Sequence, residues 1–178
     1  HEWLLLKAAS IDGQGRSGEA LDLLENTLLN DKSTDLQVAE NYVRICFSLG
    51  FFKKAEEKLI EVLGSNIPRE KKLSVLESLL FIYSSEDEYS KKIENALTRY
   101  GALVDQNSES EEGNYLLAFL MLTSKFDFDL IGFRDTHQDR LNKYLESFPN
   151  SKILRKNITS PEGDGKTLVE DLNNFLGI

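Results

Sequence analysis

The sequence has few of the residues that crosslink or interrupt a chain: one cysteine and three prolines among 178 residues. A lone cysteine excludes an internal disulfide, and the core-facing helical position of Cys46 predicts a small buried residue rather than a nucleophile. Pro68, Pro149 and Pro161 each stand where a helix is expected to begin or end. This distribution favours an all-helical fold.

Long apolar runs and excess positive charge are also missing. The longest apolar run, Leu116 to Leu122, is far short of the ~20 residues that span a bilayer, so no membrane insertion is expected. The net charge is −9, from 30 acidic and 21 basic residues. Nucleic acid and anionic lipid both favour basic surfaces, so neither is the expected ligand. The chain begins with His1 and not with methionine, so we expect a processed product, an excerpt or a chain that carries an added N-terminal remnant. The cytoplasm is the expected compartment.

Residues with catalytic or metal-binding chemistry are scarce. His1, His137 and Cys46 cannot supply a conventional zinc cluster, and His137 is expected to be a partly buried packing residue. Residues 163–167 read Gly-Asp-Gly-Lys-Thr, but Ser160 stands where a phosphate-binding loop needs its first glycine. A flexible turn before a final helix is therefore predicted there. We expect no enzymatic activity, no cofactor and no metal.

What the sequence does contain is a repeat. A small residue and three apolar residues recur after 35 positions, as Gly15, Ala20, Leu24 and Leu28 and again as Gly50, Ala55, Leu59 and Leu63. A weaker third copy follows with Ser84, Tyr89, Ile93 and Leu97. A turn residue followed by apolar residues at helical spacing, repeated at this period, is typical of stacked helix pairs.

Hydrophobic periodicity predicts nine helices. They cover residues 2–12, 19–29, 35–49, 52–63, 69–83, 89–103, 114–124, 135–148 and 166–176. The polar stretch 105–113 is predicted to be a linker, and 125–132 an ordered loop that inserts aromatic rings into the core. Gly64 is expected to follow the fourth helix as its terminating glycine.

The spacing of these residues resembles the tetratricopeptide repeat (TPR) family, in which two antiparallel helices form a unit of about 34 residues. The unit that matches best carries the family positions on Ala39, Tyr42, Val43, Cys46, Gly50, Ala55, Leu59 and Val62. The resemblance covers roughly residues 2–149 and implies an all-α, right-handed α-solenoid with a C-terminal capping helix. An unrelated helical bundle with coincidental spacing is the alternative.

The resemblance also implies a division of the chain. A repeat domain would cover 1–149, with units of about 2–34, 36–69, 70–103 and 111–149, the last with an insertion. An irregular tail and capping helix would follow in 150–178. The fourth unit matches only when split, through Leu117, Ala118, Met121, Leu141, Tyr144 and Leu145.

In this family the first helices of successive units line a concave groove. Carried across, the groove positions fall on Glu40, Arg44, Phe47, Ser48, Lys71, Ser78 and Phe81. Phe47 and Phe81 occupy the same repeat position and are expected to form an aromatic ledge beside Arg44, which suits peptide binding. The alternative is that both rings pack against a capping helix or neighbouring units. Binding of acidic chaperone tails is disfavoured, because Glu40, Ser74 and Ser78 stand where the basic set would be needed.

The expected function is therefore a non-enzymatic interaction module, a scaffold or adaptor for another protein or a peptide within a larger complex. One alternative is a regulatory or targeting domain of a larger enzyme or membrane-associated assembly. Another is a small-ligand or enzymatic domain built in residues 125–165.

Overall fold

The computed structural model describes residues 2–30, 36–88, 90–126 and 133–153, and within these ranges the chain is helical. Eight helices follow one another: α1 (Glu2–Gly13), α2 (Ser17–Asn30), α3 (Leu36–Ser48), α4 (Phe52–Gly64), α5 (Arg69–Ser84), α6 (Lys91–Leu103), α7 (Glu109–Phe126) and α8 (Phe133–Ser147). No strand occurs in the described ranges. The predicted all-α class is confirmed.

The largest boundary error concerns α7, which begins at Glu109 inside the predicted linker. The hydroxyl of Ser108 accepts the backbone N–H of Glu111 at 3.4 Å, which satisfies one of the free donors of the first turn. Glu109, Glu111 and Glu112 place negative charge at the positive end of the helix. Serine and acidic residues indicated a linker in the sequence, but here they form a helix N-terminus.

Two other predictions about helix ends need correction. Gly64 is the last residue of α4 and not the left-handed residue that follows it; Ser65 takes the capping position with φ −88°. Lys125 and Phe126 complete α7 instead of starting a loop. The remainder of the predicted aromatic loop, 127–132, and the predicted final helix, 166–176, lie outside the described residues.

The chain divides into two compact units, residues 1–82 and 83–178. In the first unit α1 packs on α2, α3 packs on α4, and α3 also contacts both α1 and α2. The core consists of small and aliphatic side chains at the predicted spacing, including Ala20, Leu24, Ala55 and Leu59. Small residues at helix crossings allow the helices to approach closely.

The backbone has the same type of turn at two equivalent positions of the sequence repeat, after α1 and after α3. After α1, the N–H of Gly15 donates to the carbonyl of Asp12 and that of Arg16 to Ile11. After α3, thirty-five residues on, the N–H of Gly50 donates to Phe47 and that of Phe51 to Cys46. Each is a Schellman turn, and its glycine has positive φ, 77° at Gly15 and 73° at Gly50.

The outer face of α1 differs from its repeat equivalent on α3. Val38 is 1% exposed because α3 packs against α1 and α2, whereas Trp3, thirty-five positions earlier, is 69% exposed. Leu6, one turn along the same face of α1, is also exposed. The contacts of α1 with α2 and α3 therefore leave part of its apolar surface uncovered.

In the second unit α7 packs against both α6 and α8. The approach of α6 to α7 depends on Gly101, because a Cβ built there would lie 2.7 Å from the hydroxyl oxygen of Tyr115. Gly113 has the same role between α7 and α8, where a Cβ would lie 2.6 Å from the hydroxyl of Tyr144. Neither glycine belongs to the repeat pattern read from the sequence.

The buried face of α7 also differs from the predicted one. Met121 was assigned to a packing position but is 56% exposed, and Leu117 and Ala118 are only half-buried. The buried side chains of α7 are Glu112, Tyr115, Leu116, Phe119, Leu120, Leu122 and Thr123. Helix α7 therefore packs through aromatic and charged side chains, as well as aliphatic ones, that the repeat pattern does not specify.

Candidate interaction groove

Helices α3, α4 and α5 of the first unit enclose an open pocket of about 280 Å³, referred to below as the groove. Its lining comes from Leu36, Ala39, Glu40, Val43, Arg44, Phe47, Leu59, Val62, Lys71, Ser74, Val75 and Ser78. Five of the seven residues predicted for the concave surface are among them: Glu40, Arg44, Phe47, Lys71 and Ser78. The structure thus brings together side chains that are up to 38 positions apart in the chain.

The floor of the groove is apolar. Val43 from α3, Val62 from α4 and Val75 from α5 all line it, although each is buried with respect to bulk solvent. Most floor residues were read from the sequence as packing positions of the repeat, so their contribution to a binding surface was missed. Val43, Val62 and Val75 are apolar residues at helical spacing, which normally indicates a covered position, so nothing in the sequence distinguished them as part of a pocket.

Two ion pairs beside the groove join α3 to other helices of the first unit. Lys71 Nζ of α5 lies 2.6 Å from Glu40 Oε1 of α3, and both side chains are about half exposed. Arg44 Nη1 of α3 lies 2.8 Å from Asp12 Oδ2 of α1. Such exposed pairs contribute at most ~1 kcal/mol each, so they orient the rim more than they stabilise the unit.

Asp12 is held ionised by two donors. The Ser17 hydroxyl donates to its Oδ1 at 2.6 Å, and this bond, followed by the Arg44 guanidinium, lowers the pKa of Asp12. The Arg44 side chain is 53% exposed while Asp12 is only 15% exposed. The cation is therefore the outward member of the pair, beside the apolar floor of the groove.

Two predicted site residues do not line the groove. Ser48 is exposed on α3, and its hydroxyl donates to the carbonyl of Ile45 at 2.8 Å. Phe81 is 60% exposed and meets the ring of Phe47 edge-on, with centroids 5.7 Å apart. The ring of Phe52 also contacts that of Phe47, with centroids 5.9 Å apart. The two rings that were expected to form the aromatic ledge are therefore in contact, but only Phe47 lines the pocket.

The groove is equipped for recognition through shape, apolar contact and charge. None of its twelve lining residues is a histidine or a cysteine. The hydroxyls of Ser74 and Ser78 donate to the carbonyls of Glu70 and Ser74, one turn back in α5. Its volume lies at or below the lower end of the ~300–1,000 Å³ typical of small-molecule sites, and is closer to the space one or two bulky side chains require.

The second unit contains a buried cluster of polar and aromatic side chains that contact one another. Arg140 of α8 donates to both carboxylate oxygens of Glu112 at 2.5 and 2.6 Å, and its guanidinium lies 4.3 Å from the Tyr115 ring centroid. The Tyr115 hydroxyl lies 2.7 Å from His137 Nε2, and His137 stacks on Phe119. Burial raises the pKa of Tyr115 to about 12. The packing role predicted for His137 agrees with its burial, and the cluster links α7 to α8.

Cys46 is fully buried in α3, as the sequence predicted, and burial raises the pKa of its thiol. Across the part of the chain that the structure describes, no three metal-ligating side chains come together to hold an ion. None of the helices in the described ranges combines the length and apolar character needed to cross a bilayer.

Comparison of the chain with protein-family models, curated proteins and solved structures gave no match. The groove is therefore interpreted from its own geometry and charge.

Proposed function

We propose that the protein is a non-enzymatic interaction module that holds a segment of a partner protein in the groove of its first unit. The observation that carries this proposal is an apolar pocket on the surface, rimmed by Glu40, Arg44 and Lys71, among residues that the repeat assigns to a binding face. A pocket of about 280 Å³ suits the anchor side chains of a peptide better than a cofactor.

The proposed scaffold for this groove is a TPR-like stack of helix pairs. Two features of the first unit support it: the Schellman turn repeated after 35 residues, and the contacts of α3 with both α1 and α2. Each helix pair alone leaves apolar surface uncovered, and stacking the next pair covers it. On this proposal the chain serves as an adaptor or as one component of a larger complex.

The cytoplasm is the proposed compartment. It is supported by the state of Cys46, a buried free thiol and the only cysteine of the chain, because disulfide-free chains are common in reducing compartments. Imaging of the tagged full-length protein tests this expectation.

Selection from a random peptide library against the whole 178-residue chain tests the groove. The decisive variant is Ser78→Phe, which places a ring in the pocket from its rim and leaves the buried floor unchanged. Thr98→Phe adds the same side chain on the exposed face of α6 and serves as the control. Circular dichroism should report equal helicity for both variants.

The expected result is a set of enriched peptides that bind the wild type and Thr98→Phe equally and bind Ser78→Phe at least tenfold more weakly. A failure to enrich any peptide, or enrichment that Ser78→Phe does not affect, would contradict the proposal.

A further inference from the structure

The charges around the groove point to a particular class of partner segment. We propose that the groove recognises a segment with a bulky apolar side chain and, about one helical turn away, an acidic side chain that binds Arg44. This inference rests on the proposed function and adds the chemical identity of the ligand. The apolar residue would enter the pocket, and the carboxylate would remain at its rim.

The first step is the balance of charge within the lining. Of the twelve lining residues, two are cationic, Arg44 and Lys71, and one is anionic, Glu40. Asp12, which pairs with Arg44, is not part of the lining. With Asp12 counted, the charges at the groove balance, but the cation is the outward member of its pair, because the Arg44 side chain is 53% exposed and that of Asp12 is 15% exposed. Charge complementarity at this surface favours an anionic group on the ligand.

The second step is the hydrogen-bonding capacity of Arg44. A guanidinium has five N–H donors in a planar fork. Within the described part of the chain, Arg44 makes one hydrogen bond, from Nη1 to Asp12. The Arg44 side chain is 53% exposed and lines the pocket, so a ligand in the groove can approach its remaining donors. A ligand carboxylate can bind these donors in a bidentate manner while Asp12 keeps its own bond.

Arg44 and Lys71 differ in how their ion-pair partners are exposed. The Lys71 ammonium is paired with Glu40, which itself lines the groove and is equally exposed, so this pair presents no excess charge to a ligand. The partner of Arg44 is largely covered, so the cation dominates at that end of the groove. The specificity of the groove for an acid is therefore assigned to Arg44.

The experiment uses three short amidated peptides that differ at one position. Each carries a leucine, and four positions later one peptide has glutamate, the second glutamine and the third lysine, so that both side chains share a helical face. Amidation removes the terminal carboxylate, so only the side chain supplies a negative charge. Binding to the full chain is measured by calorimetry at low and at raised salt.

We expect the glutamate peptide to bind about fivefold more tightly than the glutamine peptide, and the lysine peptide to bind most weakly. Arg44→Gln should abolish the preference for glutamate over glutamine. Arg99→Gln makes the same change on the exposed face of α6 and should preserve the preference. Raised salt should reduce the advantage of glutamate.

Equal or tighter binding of the lysine peptide would overturn the inference, as would a glutamate preference that survives Arg44→Gln. If all three peptides bind alike and Ser78→Phe weakens all of them, the acidic specificity is wrong while the groove function stands. If no peptide binds and library selection also fails, both proposals are wrong.

Discussion

Gly50 provides the backbone conformation that the repeated turn after α3 requires. Its φ of 73° lies in the left-handed region, where the side chains of L-amino acids are disfavoured, and its N–H and that of Phe51 close the Schellman turn. Gly64, at the end of α4, has no positive φ and no atom within 4 Å of a built Cβ. The two glycines look alike in the sequence but have different roles.

We predict that Gly50→Ala lowers the free energy of unfolding by about 1 kcal/mol, because alanine is strained at this φ. Gly64→Ala is the matched control and should be neutral or slightly stabilising. Urea unfolding followed by circular dichroism measures both. A loss from Gly64→Ala that equals the loss from Gly50→Ala would refute the distinction.

Gly101 is required for a different reason, the space beside it. An added Cβ would meet the hydroxyl oxygen of Tyr115 at 2.7 Å and its Cζ at 2.8 Å. Tyr115 cannot move away easily, because it is buried and its hydroxyl lies 2.7 Å from His137 Nε2.

Gly101→Ala should therefore destabilise the protein by about 1–3 kcal/mol, although alanine favours helices over glycine. Gly18→Ala in α2, where nothing lies within 4 Å of a built Cβ, should be neutral or stabilising. Thermal unfolding of both variants is the measurement. Equal melting temperatures for the two would mean that α6 and α7 do not approach as closely as described.

Individual helices are joined by ionic contacts of very different burial. Glu25 of α2 accepts hydrogen bonds from Lys54 Nζ of α4 at 2.8 Å and from the Tyr42 hydroxyl of α3 at 3.0 Å. The bond from Lys54, then the bond from Tyr42, lowers the pKa of Glu25. The Glu112–Arg140 pair, which joins α7 to α8, is almost completely buried.

The Glu25 contact makes the stability of the first unit dependent on pH. Because its pKa is lower in the folded than in the unfolded chain, its contribution is complete above the ordinary pKa of about 4.3 and is lost as pH falls further. Urea titrations from neutral to acidic pH should show this loss, worth under ~1 kcal/mol for so exposed a pair. Glu25→Gln should be less stable than the wild type at neutral pH, and its free energy of unfolding should fall less steeply as the pH is lowered. An equally steep fall in the variant would contradict the assignment.

Removing the Glu112 carboxylate should lower the free energy of unfolding by more than removing that of Glu25. Glu112→Gln leaves the Arg140 charge buried without its partner and should cost about 3 kcal/mol or more. Glu61→Gln breaks a pair with Lys58 whose carboxylate is 57% exposed, and it should cost under ~1 kcal/mol. Chemical denaturation distinguishes them.

A double variant keeps the Glu112 prediction testable if the single variant fails to fold. Glu112→Leu combined with Arg140→Met removes both charges and should recover most of the lost stability. A double variant no more stable than Glu112→Gln would show that packing, and not charge, dominates at this site.

At the scale of the whole molecule, Cys46 provides a unique reporter, since it is the only cysteine of the chain and has no exposed surface. We predict that a thiol reagent labels the native protein only through opening of the first unit, so that the labelling rate increases steeply with urea. Ser48→Cys, in a Cys46→Ala background, is the exposed control on the same helix and should react at once. Rapid labelling of native Cys46 would contradict its burial.

Much of the helical framework could be predicted from the sequence, but the packing of the second unit could not. All eight described helices were expected, because their apolar spacing is a property of short segments. The start of α7 was missed because serine and glutamate occur in linkers as well as in first turns. Met121 was assigned inward because the repeat pattern was extended beyond the residues that carry it.

The sequence predicted the charged residues at the rim of the groove but not the apolar residues of its floor. Glu40, Arg44 and Lys71 were recognised as surface positions, and they do line the pocket. Val43 and Val75 were not assigned to it, since an apolar residue at helical spacing is normally covered by its neighbours. Whether a gap remains between packed helices depends on side chains from all three of them.

By itself, the sequence determined that the described chain is helical, where its two matching glycine turns lie, and that Cys46 is buried. These features follow from local periodicity and from the conformational freedom of glycine. Only the tertiary structure decided that α3, α4 and α5 enclose an apolar pocket and that Arg44 pairs with Asp12, 32 residues away. Contacts at that separation depend on how helices pack, and many packings are compatible with one hydrophobic pattern.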